Sequence, residues 1–324
     1  MLSDVMDYYG LEREFRNAGY FQTDHHRQLF KDMRATIRSG GLVALSGIVG
    51  SGKTVTLRRI QDVLAEEGKI IVAKSLSVDK ERVNLGTLIT ALFFDLSPKK
   101  DIKIPTQGEK RERALQELIK QGRKPVALFV DEAHDLHGHT LRGLKRLIEV
   151  VQDGGGSLAV VLAGHPKLKN DLRRPTLEEI GYRATIFTLE GLAGCGRDYI
   201  DWLLGQCVKE GVAPADVIEP EACELLAERL TTPLQIEQHL GLAFEAGFQV
   251  GEKPVTLAVA ESVLSGHLSN WEATLTRNGY DVKALSTLLN IKPKEARSLL
   301  SGDVDAVRAQ ELHEQMLTVG LPVI

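Results

Sequence analysis

The sequence predicts an α/β fold: a parallel sheet with helices on both faces, followed by an all-α lid and a small helical C-terminal segment. Three observations carry this reading. Short apolar runs alternate with amphipathic stretches across residues 41–190, the pattern of parallel strands joined by helical crossovers. A glycine-rich turn joins the first apolar run to the helix that follows it. After about residue 190 only helical patterns remain.

The elements follow in order. Residues 1–40 read as a leader and then a helix, Asp24 to Arg38. GLVALSG is a strand, and TVTLRRIQDVLAEEG is an amphipathic helix that stops at Gly68. KIIVAKSL is a second buried strand and RVNLGTLITALFFDL a helix. KPVALFVDE is a third strand, and HTLRGLKRLIEVVQDGG is a helix stopped at Gly154. SLAVVLAGHP and ATIFTLEGL are the fourth and fifth strands. The lid, residues 191–270, reads as GRDYIDWLLGQCVKEG, EPEACELLAERL, TPLQIEQHLGLAFEAGF and LAVAESVLSGHL. Residues 271–324 are helical, with turns at Asn278-Gly279, Ile291-Lys292-Pro293 and Gly302.

Composition narrows the function classes. The formal net charge is −4, so any nucleic-acid surface is a local patch rather than a global field. Aromatics are 5% of 324 residues, which makes the core mainly aliphatic. Cys195, Cys207 and Cys223 are an odd set with no Cys-x-x-Cys. That spacing argues for a reducing compartment and against a disulfide frame or a zinc site. The opening MLSDVMDYYGLERE has no apolar signal core, and no run approaches the roughly 18 apolar residues of a span. The expectation is a cytoplasmic protein with no membrane partner.

GIVGSGKT, Gly47 to Thr54, fits G-x-x-x-x-G-K-[ST] between a strand and a helix. Gly47, Gly50 and Gly52 let the backbone turn its N–H groups toward phosphate oxygens. The helix N-terminus adds partial positive charge. Lys53 reaches the β- and γ-phosphates of ATP and Thr54 holds Mg²⁺. Ser51 and Val55 complete the expected nucleotide-binding set.

LFVDEAHDLHGHT contains D-E-A-H, the signature of a class of RNA helicases. Here it ends an apolar strand, where open α/β sheets bind ligands. Asp131 then holds the Mg²⁺ through water, and Glu132 polarises the attacking water. A helicase of that class needs two motor domains, and one phosphate loop is present. His134, His137 and His139 lie near Asp135, but not at a standard zinc or iron spacing. They read as a loop and helix start, with Thr140 or Asp135 as N-cap and His134 beside the Asp131-Glu132 pair.

The phosphate loop, the Asp131-Glu132 strand end, a fourth strand ending in a polar residue and the helical region after it together resemble the AAA+ ATPases. The resemblance runs over about residues 8 to 265. Within that class, YYGLEREFRNAGYFQTDHHRQLF, LFVDEAHDL, VVLAGHPKL and the Arg183 region resemble the ExeA/GspA-like ATPases. The transposition helpers TnsC, TniB, MuB and IstB are similar in build. The resemblance implies more roles. His165 takes the sensor 1 position, against the alternative of a strand-end histidine facing solvent. Arg183 lies in the region that supplies a finger to the next subunit; Arg173 and Arg174 are rivals, and a surface salt bridge is the alternative for each. Tyr20 and Phe21 line an adenine pocket or pack in the core. One departure stands out. Leu234 and Gln235, in TTPLQIEQHL, occupy the place of the Pro-Arg of sensor 2, so hydrolysis is expected to be weak.

ExeA secretion ATPases carry a membrane span and a wall-binding domain, and neither is read here. The resemblance therefore implies a helper that forms a homo-oligomer, a hexameric ring or helical filament, on double-stranded DNA. Its partner is a transposase or target selector. By the same resemblance Lys80 and Arg82 face the DNA. Lys99, Lys100 and Lys103 add charge, and Arg142, Lys145 and Arg146 share one helix face. A solvated surface is the alternative for each cluster. In DVKALSTLLNIKPKEARSLLSG, Ala284, Leu285, Leu288, Ile291, Ala296 and Leu299 fit a helix-turn-helix. Lys292, Lys294 and Arg297 lie on its second helix, yet Asp281, Glu295, Asp303 and Asp305 dilute the charge. DNA binding and protein docking both remain open for this segment. A secretion or remodelling ATPase, or a nucleotide switch, are the competing functions.

Overall fold

The computed structural model describes residues 3–75, 83–97, 103–192, 194–265, 275–276, 278–301, 304–318 and 321. Lys80, Arg82, Lys99, Lys100 and Asp303 lie outside the described residues. The chain divides into two compact units. One comprises Thr23–Gly47 and Lys53–Leu189; the other comprises Met1–Gln22, Ile48–Gly52 and Glu190–Ile324.

The first unit is built on five strands: β1 (Gly41–Ser46), β2 (Ile71–Lys74), β3 (Val126–Val130), β4 (Leu158–Gly164) and β5 (Ala184–Thr188). All the pairings are parallel, in the order β2-β3-β4-β1-β5. The three central strands bury both faces, which is why they read as continuous apolar runs rather than alternating ones. Leu42, Ala44, Leu128, Val130, Val160 and Leu162 point into one core layer. Val43, Leu45, Ala127, Phe129, Val161 and Ala163 point into the other. Alternate residues of a strand face opposite sides, so each strand serves both layers.

Helices cover each face. On one side lie α2 (Asp24–Ser39), through Leu29, Phe30, Met33 and Ile37, and α3 (Lys53–Glu67), through Leu57, Ile60 and Leu64. On the other lie α4 (Leu85–Leu96), α5 (Gly108–Gly122) and α6 (Gly138–Asp153). The short helices α7 (Pro166–Leu172) and α8 (Glu178–Gly181) follow β4. Thr23 caps α2 by accepting from the His26 N–H at 3.1 Å. The cap of α6 differs from expectation. His137 is its N-cap residue, with no side-chain cap bond. Thr140 is inside the first turn and buried, and Asp135 belongs to a separate 3₁₀ turn, Ala133–Asp135.

The second unit is helical. It holds α1 (Ser3–Tyr9), a helix not read in the leader, with α9 (Gly196–Cys207), α10 (Pro220–Arg229), α11 (Pro233–Val250) and α12 (Leu257–Ser265). Tyr9 sits against Phe244 with ring centroids 4.6 Å apart, and its hydroxyl donates to the Glu252 carbonyl at 2.7 Å. A separate core holds Leu285, Leu289, Ala296 and Leu299 of the helices Val282–Leu289 and Pro293–Ser301, with Leu312 and Met316 of Ala306–Thr318. The short connection between the first two turns through Asn290, at φ 54°. Lys292, Lys294 and Arg297 are exposed.

Gly181, at the end of α8, has no room for a side chain: a Cβ there would run into the backbone carbonyl of Leu172. Gly181→Ala is expected to cost roughly 1–3 kcal/mol through this overpacking, read as a lower thermal midpoint. An unchanged midpoint would mean the α7–α8 connection yields freely.

Candidate functional site

The site residues of the sheet unit gather because parallel strands end on one edge. Ser46 of β1 pairs with Gly164 of β4, and Val130 of β3 with Leu162 of β4. The residues that follow, Gly47, Asp131 and His165, therefore leave the sheet side by side. The Gly47 N–H donates to the Gly164 carbonyl at 3.2 Å, which extends the ladder one step.

Lys53 opens α3 and is 7% exposed. Its ammonium donates to the Gly47 carbonyl at 2.8 Å. Burial holds its pKa below the usual range, while Glu132 and Asp131 pull it back up. A buried cation of this kind is suited to a phosphate oxygen. The Thr54 hydroxyl donates to Asp131 Oδ2 at 2.8 Å, and Asp131 Oδ1 accepts from the Glu132 N–H at 2.9 Å. Thr54 and Asp131 thus offer adjacent hard oxygen donors, the chemistry that Mg²⁺ selects. Val55 is 48% exposed, on the outer side of the first turn of α3.

Glu132 has φ 56° and ψ 35°, a left-handed backbone that a non-glycine residue adopts at a cost. The turn starts the 3₁₀ segment Ala133–Asp135 and carries His134 back toward β4. His165 Nε2 lies 3.8 Å from Glu132 Oε2, and His134 Nδ1 lies 3.6 Å from the same oxygen. The two imidazoles meet edge to face, with ring centroids 3.9 Å apart. Burial first, then the charges of Lys53 and Lys167, push the His165 pKa down to about 4, against a smaller pull from Asp131. His165 is therefore a neutral imidazole near pH 7, a polar contact rather than a cation. His137 and His139 are exposed and stay outside this group.

In the helical unit, the loop residues Gly50 and Gly52 have φ 79° and 94°, the left-handed region that glycine tolerates. Gly50 has a second constraint. A Cβ there would lie 2.7 Å from Leu234 Cβ and 2.9 Å from Thr232 Oγ1. The Leu234 N–H points at the Gly50 carbonyl, 3.4 Å away. Gln235 is occupied in the cap of α11: its Oε1 accepts from the Thr231 N–H at 3.1 Å, and its own N–H donates to Thr232 Oγ1 at 3.3 Å. Ser51 is buried. Tyr20 is half-buried. Phe21 packs on Tyr199 and Trp202, with centroids 5.3 and 5.4 Å away.

The candidate basic residues differ in their surroundings. Arg142 and Arg146 are exposed one turn apart on α6. Lys145 lies 2.8 Å from Glu179 and 3.7 Å from Glu149. Arg183 is ion-paired with Glu149, and Arg174 pairs with Asp171 at 3.1 Å. Sequence reasoning missed the meeting of His134 with His165 and the seat of Leu234 on Gly50. The signal for the first was Gly164. A Cβ there would stand 3.0 Å from the His134 N atom, so a glycine just before His165 marks a close backbone approach.

Residues 36–172 match the family described as an AAA domain. The general secretion pathway protein A of Aeromonas hydrophila is 30% identical over 166 residues. That match covers 51% of this chain and 30% of the relative, so the chain spans under a third of the relative's length. Among solved structures, the Aeropyrum pernix ORC2 protein in its ADPNP-ADP complexes superposes with a TM-score of 0.55 at 13% identity, over 96% of this chain and 91% of that one. The Aeropyrum pernix ORC1 protein in complex with DNA gives 0.52 at 15% identity, over 96% and 88%. The fold is that of the AAA+ phosphate-loop proteins, with a helical C-terminal region.

Lys53→Ala removes the buried cation and is expected to abolish ATP binding, measured by titration calorimetry or a fluorescent nucleotide. Retained affinity would refute the phosphate role of this side chain. A melting curve close to that of the unaltered chain keeps the result interpretable.

Proposed function

We propose that this chain is an ATP-dependent, DNA-binding AAA+ regulator of DNA transposition that acts in the cytoplasm. It assembles on duplex DNA as a ring or filament and recruits or activates a transposase. Slow ATP hydrolysis lets the assembly come apart. The observation that supports the ATP-dependent part of the reading is the buried Lys53–Gly47 contact, with Thr54–Asp131 and Glu132–His165 on the same sheet edge.

The chemistry divides among these residues. Lys53 exchanges the Gly47 carbonyl for the β- and γ-phosphate oxygens, to which the N–H groups of Gly50, Ser51 and Gly52 also donate. Thr54 and Asp131 hold Mg²⁺, which when bound neutralises phosphate charge. Glu132 orients the attacking water and accepts its proton. His165, neutral, hydrogen-bonds the water or the γ-phosphate without adding charge. Leu234 brings no cation to the loop, and Gln235 is engaged in its own helix cap. Both fit slow turnover, since an arginine there would stabilise developing phosphate charge. Arg183, on the surface, exchanges Glu149 for the nucleotide of a neighbouring copy, and Tyr20 flanks the adenine.

DNA binding is supported by Arg142 and Arg146 on one exposed face and by the exposed Lys292, Lys294 and Arg297 of the C-terminal helix pair. Lys80, Arg82, Lys99 and Lys100 supply further charge in this reading, with Lys145 contributing only after it leaves Glu179. A filament repeats each modest contact along the duplex, so weak patches suffice. A second reading, a secretion or protein-remodelling ATPase, is favoured by the 30% identity to the secretion pathway protein. Among the described residues no helix is long and apolar enough to cross a membrane.

Fluorescence anisotropy of a labelled random duplex separates the two. With a non-hydrolysable ATP analogue, affinity is expected to rise at least tenfold (about 1.4 kcal/mol) over ADP. The charge-reversed pair Arg142→Glu with Arg146→Glu should lose most of that gain. Equal affinity in every nucleotide state would contradict the DNA-assembly reading and favour remodelling.

A further inference from the structure

Glu132 and the two imidazoles beside it are more than a polar edge. Glu132, His134 and His165 each present one ligand atom, and these atoms all lie within 4.8 Å of one another. The carboxylate lies 3.6 Å from His134 Nδ1 and 3.8 Å from His165 Nε2. A tetrahedral Zn²⁺ with bonds of about 2.0–2.1 Å spaces its ligands about 3.3 Å apart. The two carboxylate gaps close by a few tenths of an ångström, and the two imidazoles, whose centroids stand 3.9 Å apart, swing apart to aim their nitrogens at one ion. The other ring nitrogen of His134 faces Asp135 Oδ1 at 3.6 Å, the outer carboxylate that commonly orients a metal-bound histidine.

We propose that this cluster is a binding site for a borderline transition-metal cation, Zn²⁺ above all, and that metal bound there switches off hydrolysis by capturing the Glu132 carboxylate. The inhibitory half rests on the reading of Glu132 as the hydrolytic base; the binding half does not. Two imidazoles and one carboxylate suit Zn²⁺ and not Mg²⁺, which prefers an all-oxygen set. The hard pair Thr54 and Asp131 is a separate set of donors. Three side chains leave a fourth position open, as in catalytic rather than structural zinc sites. Charge decides whether a dication is tolerated. Lys53 and Lys167 oppose it, while Glu132, Asp131 and Asp135 favour it.

The backbone is arranged for this meeting. The left-handed turn at Glu132 brings His134 round, and Gly164 leaves space for the His134 backbone. His165 follows Gly164 directly, so one close approach sets both imidazoles. The side chains of His134 and His165 are 9% and 12% exposed, against 32% for Glu132. A metal is reached from the carboxylate side, the side from which water reaches the base.

The test uses the full chain and Zn²⁺ itself. Calorimetric titration of nucleotide-free protein is expected to show one saturable site. His134→Ala and His134→Gln should each weaken it at least tenfold. Lys53→Ala, which cannot use nucleotide, should keep it. Cobalt(II) should give the visible absorption of a tetrahedral nitrogen-oxygen site in the unaltered chain and not in the His134 variants. In Mg²⁺-ATP assays, added zinc should suppress hydrolysis, a zinc-selective chelator should restore it, and His134→Gln should hydrolyse ATP in the presence of zinc. No saturable uptake, or uptake indifferent to both His134 variants, would overturn the site. Zinc bound at these residues with undiminished turnover would overturn its regulatory role. A chain with no hydrolysis under any condition would instead sink the proposed function, leaving the uptake measurement to decide the site.

Discussion

Everything at the candidate site depends on one constraint: parallel strands end on the same edge of their sheet. β1, β3 and β4 are paired so that Gly47, Asp131 and His165 emerge together. None of these residues is close to another in sequence. The constraint is held by burial on both faces, where Val43, Leu45, Phe129 and Val161 fill one layer and Leu42, Leu128, Val160 and Leu162 the other. A slip of one residue in any central strand would exchange the two layers. It would also move a ligand residue along the edge by one strand step, about 3.3 Å, more than the length of a hydrogen bond.

On that edge, charge is balanced rather than accumulated. The buried Lys53 is set against Asp131 and Glu132, and it rests on the Gly47 carbonyl. Burial first, then the charges of Lys53 and Lys167, hold His165 neutral. Such an arrangement favours the arrival of an anion carrying its own cation, because it adds little net charge. The helical unit shows the opposite economy at Gly50. There a glycine, a threonine hydroxyl and a leucine are packed so closely that no side chain fits at the loop position. The start of α11 contributes shape to the loop rather than charge.

Much of this was legible in the sequence. The strands were visible as apolar runs, because a strand buried on both faces has no polar residues to interrupt it. GIVGSGKT and VDE were legible because phosphate and metal chemistry restrict residue type and spacing at once. The helix α5 was passed over for the converse reason. GEKRERALQELIKQG buries only Leu115 and Ile119, too thin a stripe to stand out from its charges. The helix α1 was passed over because its seven residues bury just Val5 and Tyr9. The histidines misled by proximity. His137 and His139 are neighbours of His134 in sequence, yet the imidazole that reaches it is His165, from the end of another strand. Strand order decides that contact, and strand order is not a local property of sequence. The α6 cap misled similarly: Thr140 has the right chemistry for a cap but falls inside the helix, where it is buried.

The central claim is that this edge hydrolyses ATP with Glu132 as the base. Glu132→Gln keeps the shape of the side chain and removes its basicity, so binding and chemistry can be separated. The direct measurement is a single-turnover assay of bound ATP, run beside a binding titration of the same variant. The account predicts undiminished nucleotide affinity and hydrolysis slowed on the order of 100-fold or more, the usual worth of a positioned base. Hydrolysis at the unaltered rate, with affinity unchanged, would contradict it.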